Sequence, residues 1–171
     1  VLEVAPLEDL WLADVIPHDE EDVRPILVLD QVTDPHNVGA ILRSAAAIDV
    51  VAVVTQARHA PPESGALAKS ASGALEIVPW IRVVNLARAL DEMAENGYWR
   101  IALDGSAEAH LGAALAQGRN ALVLGAEGDG IRQNVIEHCD QIAKLPINAQ
   151  MESLNVSNAA AIALYAAATR G

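Results

Sequence analysis

A chain of 171 residues, 52% hydrophobic and 20% charged, is long enough to bury one core and too apolar for bulk disorder. Its apolar runs are short and broken by charges, which excludes a membrane-spanning helix; its one cysteine excludes an internal disulfide, so a reducing cytoplasm is the expected compartment. Eleven Lys and Arg against 23 Asp and Glu give a formal net charge of −12, which opposes non-specific binding to phosphate backbones unless a local site overrides it.

Residues 1–25 mix prolines with the acidic cluster Asp19–Asp22 and read as an interdomain linker leading into a domain over 26–171. From Ile26 onward, short β-branched runs alternate with helical patterns. The runs at 26–30 (ILVLD), 50–55 (VVAVVT), 77–84 (IVPWIRVV), 100–104 (RIALD), 121–125 (ALVLG) and 141–145 (QIAKL) predict six strands. Helices are expected at 38–48, 63–70, 86–95, 107–117, 130–139 and about 155–169. Asn85 can cap the third of these, and Asn96-Gly97 stops it. Such alternation is the pattern of an α/β fold, a parallel sheet of about six strands with helices on both faces.

In a parallel sheet ligands bind beyond the carboxyl ends of the strands, so the loops after strands hold the candidate chemistry. After the first strand, DPHNVGAILRSA turns at Asp34-Pro35 into a helix whose buried stripe is Val38, Ile41, Leu42, Ala45 and Ala46. Arg43 lies off that stripe, framed by Gly39, Ala40 and Ala47, which are too small to shield it from a ligand or a second backbone. A solvated surface arginine is the simpler alternative; Asn37 and Gly39 beside it favour a function. After the fifth strand, LVLGAEGDGIR sets Gly125, Gly128 and Gly130 around Glu127. That order is neither the dinucleotide fingerprint nor a phosphate loop, and a plain tight turn competes with a ligand-cradling role. After the last strand, LPINAQMESLNVSNAAAIALY puts Ser153, Asn155, Ser157 and Asn158 within six positions. One of them can cap the final helix, and the surplus points to a polar pocket wall.

Other candidates are weaker. The five histidines lack metal-ligand spacing, so no metal is expected. Cys139, close to Glu137 and Asp140, lacks the positive setting of a reactive thiolate, and no G-x-S-x-G elbow occurs. The three tryptophans and two tyrosines are too dispersed for a base-stacking platform.

Taken in order, the three loops resemble the three motifs of the SpoU family of RNA ribose methyltransferases, within the SPOUT superfamily. DPHNVGAILRSA resembles the first motif, LVLGAEGDGIR the second, and Leu145-Pro146 with SLNVSNAAAIALY the third; KSASGALEIVPWIRVVNLARAL (69–90) is also family-like, and the resemblance spans residues 26–170. It implies a parallel α/β fold whose C-terminal part threads a deep trefoil knot, a rare topology, around a bent S-adenosylmethionine, with two subunits pairing to complete each site. It further implies cofactor contacts from Leu103, Asp104 and Gly105, from Leu124, Gly125, Glu127, Gly128 and Gly130, and from Ile142, Leu145, Pro146, Ser153 and Leu154. The catalytic positions it implies are Asn37, Arg43, Glu127, Ser153 and Asn155. A guanidinium donates hydrogen bonds rather than accepting protons, so the expected role of Arg43 is to stabilise a developing alkoxide or hold a phosphate.

The implied activity is methyl transfer to a ribose 2′-hydroxyl, most like the members that act on a guanosine of 23S ribosomal RNA. The tRNA-modifying members and a non-catalytic RNA-binding or dimerisation module of the same fold are the alternatives. RNA and a second copy of the chain are the expected partners, with no membrane and no metal. Two-domain members imply a small N-terminal RNA-binding domain, expected to lie outside this chain and to hold basic surface that a net charge of −12 denies it. The chain departs from the third motif at Ile147 and Ala149, where the family has Met and Gly; a Cβ at 149 is expected to restrict the loop or crowd the cofactor.

Overall fold

The computed structural model describes residues 10–62, 65–151 and 153–170. Six strands, β1 (Ile26–Asp30), β2 (Ala52–Gln56), β3 (Trp80–Val83), β4 (Trp99–Leu103), β5 (Asn120–Gly125) and β6 (Gln141–Ala143), form one sheet in the order β3-β2-β1-β5-β4-β6. Every pairing is parallel. All five residues of β1 are buried, because this strand is central and covered on both faces.

Side chains alternate along each strand, and the two faces collect separate cores. Leu27, Leu29, Val53, Ile101, Leu122 and Leu124 face α2 (Pro35–Ile48), α3 (Gly65–Ala71), the short α5 (Leu111–Ala114) and α7 (Val156–Ala168). Ile26, Val28, Val54, Ile81 and Val123 face α1 (Leu12–Val15), α4 (Leu86–Glu95) and α6 (Gln133–Ile136). Local chemistry sets the helix starts. The Asp34 carboxylate accepts from the His36 backbone N–H at 2.9 Å ahead of Pro35, the Asn85 side chain accepts from Arg88 N–H at 3.1 Å, and Asn155 accepts from Ser157 N–H at 2.9 Å.

Three sequence expectations change. The helices expected over 107–117 and 130–139 shrink to single turns, because their backbone is recruited sideways. Lys144 N–H donates to the Ala109 carbonyl at 2.9 Å, Leu111 N–H to the Lys144 carbonyl at 2.8 Å, and Asp140 N–H to the Arg100 carbonyl at 2.8 Å. The strand expected from 77 begins at Trp80, since Ala74–Glu76 winds into a 3₁₀ turn. The helix expected from 63 is described from Gly65, its first two positions lying outside the described residues.

Part of the expected linker docks on the domain. Leu12 and Ile16 are buried in the second core at 3% and 6% exposure. The buried Arg119 guanidinium donates to the carbonyls of Pro17 (2.9 Å), Asp19 (2.7 Å), Asp22 (3.0 Å) and Asn96 (3.0 Å), and lies over the Tyr98 ring at 5.3 Å.

Candidate active site

Because all six strands are parallel, their carboxyl ends share one edge, and the chain leaving β4, β5 and β6 there encloses a cavity of about 720 Å³. Leu103, Asp104 and Gly105 line it from the end of β4. Leu124, Gly125, Glu127, Gly128 and Gly130 line it from β5 and its loop, and Leu145, Pro146, Ser153 and Leu154 from the chain after β6. The structure therefore brings to one cavity all but one of the thirteen expected cofactor residues. The exception is Ile142, which sits on β6 at 39% exposure and does not line it.

The glycines of the β5 loop have distinct jobs. Gly130 N–H donates to the Ala126 carbonyl at 2.9 Å, closing a tight turn in which Gly128 (φ 87°) and Gly130 (φ 67°) take the left-handed conformation. Gly125 is needed for closeness: a Cβ there would lie 2.2 Å from the Gly130 carbonyl carbon and 2.4 Å from Ile131 N. The departure at Ala149 costs no left-handed strain, since the non-glycine residues with positive φ among those described are Gln31, Asp49 and Ser72. Ala149 lines the cavity directly.

Next to the cavity, three of the five expected catalytic residues meet across 118 positions of sequence. Asn155 Nδ2 donates to Glu127 Oε1 at 2.9 Å and to Asn37 Oδ1 at 3.3 Å, and Val156 N–H donates to the same Glu127 oxygen at 3.2 Å. Asn155 thus serves both as helix cap and as polar bridge, with its Oδ1 taken by Ser157. Ser153 faces the cavity without a hydrogen bond among the described residues. Arg43 is not drawn in: it stands exposed on α2, and its side chain makes no hydrogen bond or ion pair with a described residue.

Sequence reasoning missed the clamp beneath these loops. Asp30, at the end of β1 and 0% exposed, accepts from Arg132 N–H at 2.8 Å and from its guanidinium Nε at 2.9 Å, with Nη2 of the ion pair 2.8 Å from Oδ1. Arg132 Nη2 also donates to Gln56 Oε1 at 2.6 Å. The pair ties the first loop to the glycine turn, and nothing in the sequence signals it except two oppositely charged residues at the ends of two motifs. His110 and Lys144, joined by a β-bridge, also line the cavity and were not anticipated. Burial pushes the Cys139 thiol up to about 12, the opposite of an activated nucleophile. Among the described residues no group of three His, Cys, Asp or Glu could hold a metal ion, and no described helix is long and apolar enough to cross a membrane.

Comparison with known proteins bears on this arrangement. A 23S rRNA (guanosine-2'-O-)-methyltransferase RlmB of Xylella fastidiosa is 47% identical over 142 residues, 83% of this chain and 57% of that protein. The SpoU methyltransferase AviRb from Streptomyces viridochromogenes, solved in complex with the cofactor AdoMet, superposes with a TM-score of 0.80 at 26% identity, covering 95% of this chain and 62% of that one. The TrmH/SpoU tRNA modifying enzyme of A. aeolicus gives a TM-score of 0.74 at 25% identity, over 87% and 76%. The chain spans 57% of the length of the Xylella relative. The sequence model of the SpoU rRNA Methylase family matches residues 24–165, a stretch that contains the three loops, the cavity and the Asn37–Asn155–Glu127 junction, and the chain belongs to that family.

Proposed function

We propose that this chain transfers a methyl group from S-adenosylmethionine to the ribose 2′-hydroxyl of a guanosine in 23S ribosomal RNA. The observation that supports it best is the junction of Asn37, Asn155 and Glu127 beside a cavity suited to a nucleoside cation. The cavity volume lies in the range of small-molecule sites. Its walls pair apolar surface for a purine (Leu103, Leu124, Leu145, Leu154) with open glycine backbone at Gly105, Gly128 and Gly130. Asp104, Glu127 and Asp129 outnumber Lys144 among its charged residues, which suits a ligand carrying a sulfonium and an ammonium.

When bound, S-adenosylmethionine supplies a methyl group activated on sulfur. The work of the chain is alignment: fixing donor and acceptor oxygen for in-line displacement converts a bimolecular encounter into an effectively unimolecular one. Glu127, pinned through Oε1, and Asn37, anchored by Asn155, make a fixed polar rim for the incoming ribose. The 2′-oxygen gains the methyl carbon and releases its proton to solvent, and Arg43 donates to the charge growing on that oxygen or to the adjacent phosphate.

The knot and the dimer belong to this reading. In favour of the knot, the chain passes from β5 beyond β4 to β6, then returns to set Asn155 against Glu127 of the β5 loop. In favour of the dimer, the Arg43 side chain has no hydrogen-bond or ion-pair partner among the described residues, and α7, packed on α2, leaves Ile162 and Tyr165 exposed at 47% and 64%. Pairing through that surface would carry Arg43 to the cavity of a second copy.

The test is transfer of a labelled methyl group to 23S ribosomal RNA and to tRNA, read as alkali-resistant linkages at guanosines, with calorimetric titration of S-adenosylmethionine alongside. Arg43→Ala is expected to abolish transfer and leave cofactor affinity within about threefold. Loss of cofactor affinity would overturn the division of roles, and transfer to tRNA alone would move the chain to the tRNA-modifying members.

A further inference from the structure

Acidic residues outnumber basic ones two to one in this chain, so a surface cation ordinarily finds an acidic or carbonyl partner. Arg24, Arg100 and Arg132 pair with carboxylates, Arg119 and Arg170 hold carbonyls, and Arg82 lies over the Trp80 ring at 5.0 Å. Five side chains are left without a hydrogen bond or ion pair to a described residue: Arg43, Arg58, Lys69, Arg88 and Lys144. Lys144 lines the cavity, and Arg88 lies on α4, the layer covering the opposite face of the sheet.

The other three fall in one stretch, between β1 and β3. Arg58, beside His59, occupies the 3₁₀ turn that leaves β2 at the same carboxyl edge as the cavity. Lys69 precedes Ser70 on α3, and Ser70 Oγ is 3.0 Å from Nδ1 of His36 in the first turn of α2. Gly39 makes room for that contact, since a Cβ there would sit 2.3 Å from Ser70 Cβ, and Arg43 is one turn further along the same face of α2. All three charges are exposed. Of the acids in this stretch, the Asp34 carboxylate caps α2, Asp49, at the far end of that helix, pairs with Arg24 at 3.1 Å, Glu76 stands exposed on the 3₁₀ turn after α3, and Glu63 lies outside the described residues.

We infer that Arg58 and Lys69, with His36 and His59, form a phosphate-tracking strip on which the substrate RNA lies as its target ribose reaches the Asn37–Asn155–Glu127 rim. The inference rests on the methyltransferase reading and extends it by assigning the RNA to the β1–β2 side of the edge, with the cofactor on the β4–β6 side. It would let a chain of net charge −12 meet RNA through exposed cations that no described carboxylate neutralises.

The experiment measures affinity of the wild-type chain, of Arg58→Gln with Lys69→Gln, and of Arg88→Gln for a transcribed 23S rRNA hairpin at 50 and 200 mM KCl. Calorimetric affinity for S-adenosylmethionine is measured on each. Each lost phosphate contact lowers the slope of log K against log salt by about 0.7–0.9, so the double variant should lose about tenfold of the wild-type affinity ratio between the two salts. Its cofactor affinity should be unchanged, and Arg88→Gln, which removes one charge outside the strip, should match wild type. If the wild type methylates the hairpin and the double variant keeps its salt slope, or Arg88→Gln loses as much as a single strip residue should, the strip is wrong and the methyltransferase reading stands. If the wild type neither binds nor methylates RNA, both fall.

Discussion

The Asp30–Arg132 pair makes an asymmetric prediction. Asp30 is 0% exposed, accepts two hydrogen bonds from one residue and forms an ion pair with its guanidinium, whereas the Arg132 side chain retains 39% of its surface to water. Removing the guanidinium by Arg132→Met leaves a carboxylate with no route to solvent and only the backbone N–H of residue 132 as partner. An uncompensated buried charge of this kind costs about 3–5 kcal/mol. Removing the negative charge by Asp30→Asn instead leaves an arginine that water can reach, still facing an amide oxygen, at a cost of about 1–2 kcal/mol. Urea unfolding with both variants, compared at equal m-value, reads the difference. The glycine turn ends two residues before Arg132, so both variants should also weaken S-adenosylmethionine binding, Arg132→Met the more. Asp30→Asn proving the more destabilising, or both variants costing under about 1 kcal/mol, would refute the reasoning that solvent access decides the cost.

Three other outcomes are expected. Gly125→Ala should lower the thermal midpoint by the equivalent of about 1–3 kcal/mol and cut cofactor affinity at least tenfold, because backbone rather than a yielding side chain meets the new methyl group; Gly112→Ala, where a Cβ meets open space, should be neutral or slightly stabilising. Arg119→Met should expose the chain between Pro17 and Asp22 to limited proteolysis before the sheet unfolds, since one side chain holds three of its carbonyls. Cys139, with its thiol pushed up to about 12 by burial, should resist alkylation at pH 8 until denaturant is added; because the unfolded thiol ionises near pH 8.5, its contribution to stability is full below that pH and is lost as pH rises towards 12, which urea midpoints at pH 8 and 10 would reveal.

Legibility of the fold in the sequence tracked how local the determining chemistry was. The helix Leu86–Glu95 ends where expected because Asn85 and Asn96-Gly97 punctuate it within a few residues. Likewise β1 was readable as an unbroken apolar run closed by a charge. The expected helices around 111 and 133 failed because their competitors for hydrogen bonds, Lys144 and Arg100, lie tens of residues away. Of the site, the glycine turn and the polar cluster from Ser153 were visible as anomalies of composition. That Asn37, Glu127 and Asn155 belong together came from resemblance, since no periodicity links positions up to 118 apart. Asp30 escaped notice because a charged residue closing a strand looks like the start of a loop.

The pairing of Ile26 with Ala121 also sets a clock for synthesis. At about 5–20 residues per second, on the order of 5–20 s separate the appearance of β1 from that of its second neighbour on a ribosome. During that interval β1, β2 and β3 can assemble, but β1, destined for the middle of the sheet, is an open edge of apolar side chains with unpaired backbone donors. Aggregation risk in the nascent chain is therefore concentrated on the strand that is most protected once folding is complete, and slower elongation between residues 30 and 120 should lower soluble yield without changing the stability of the finished protein.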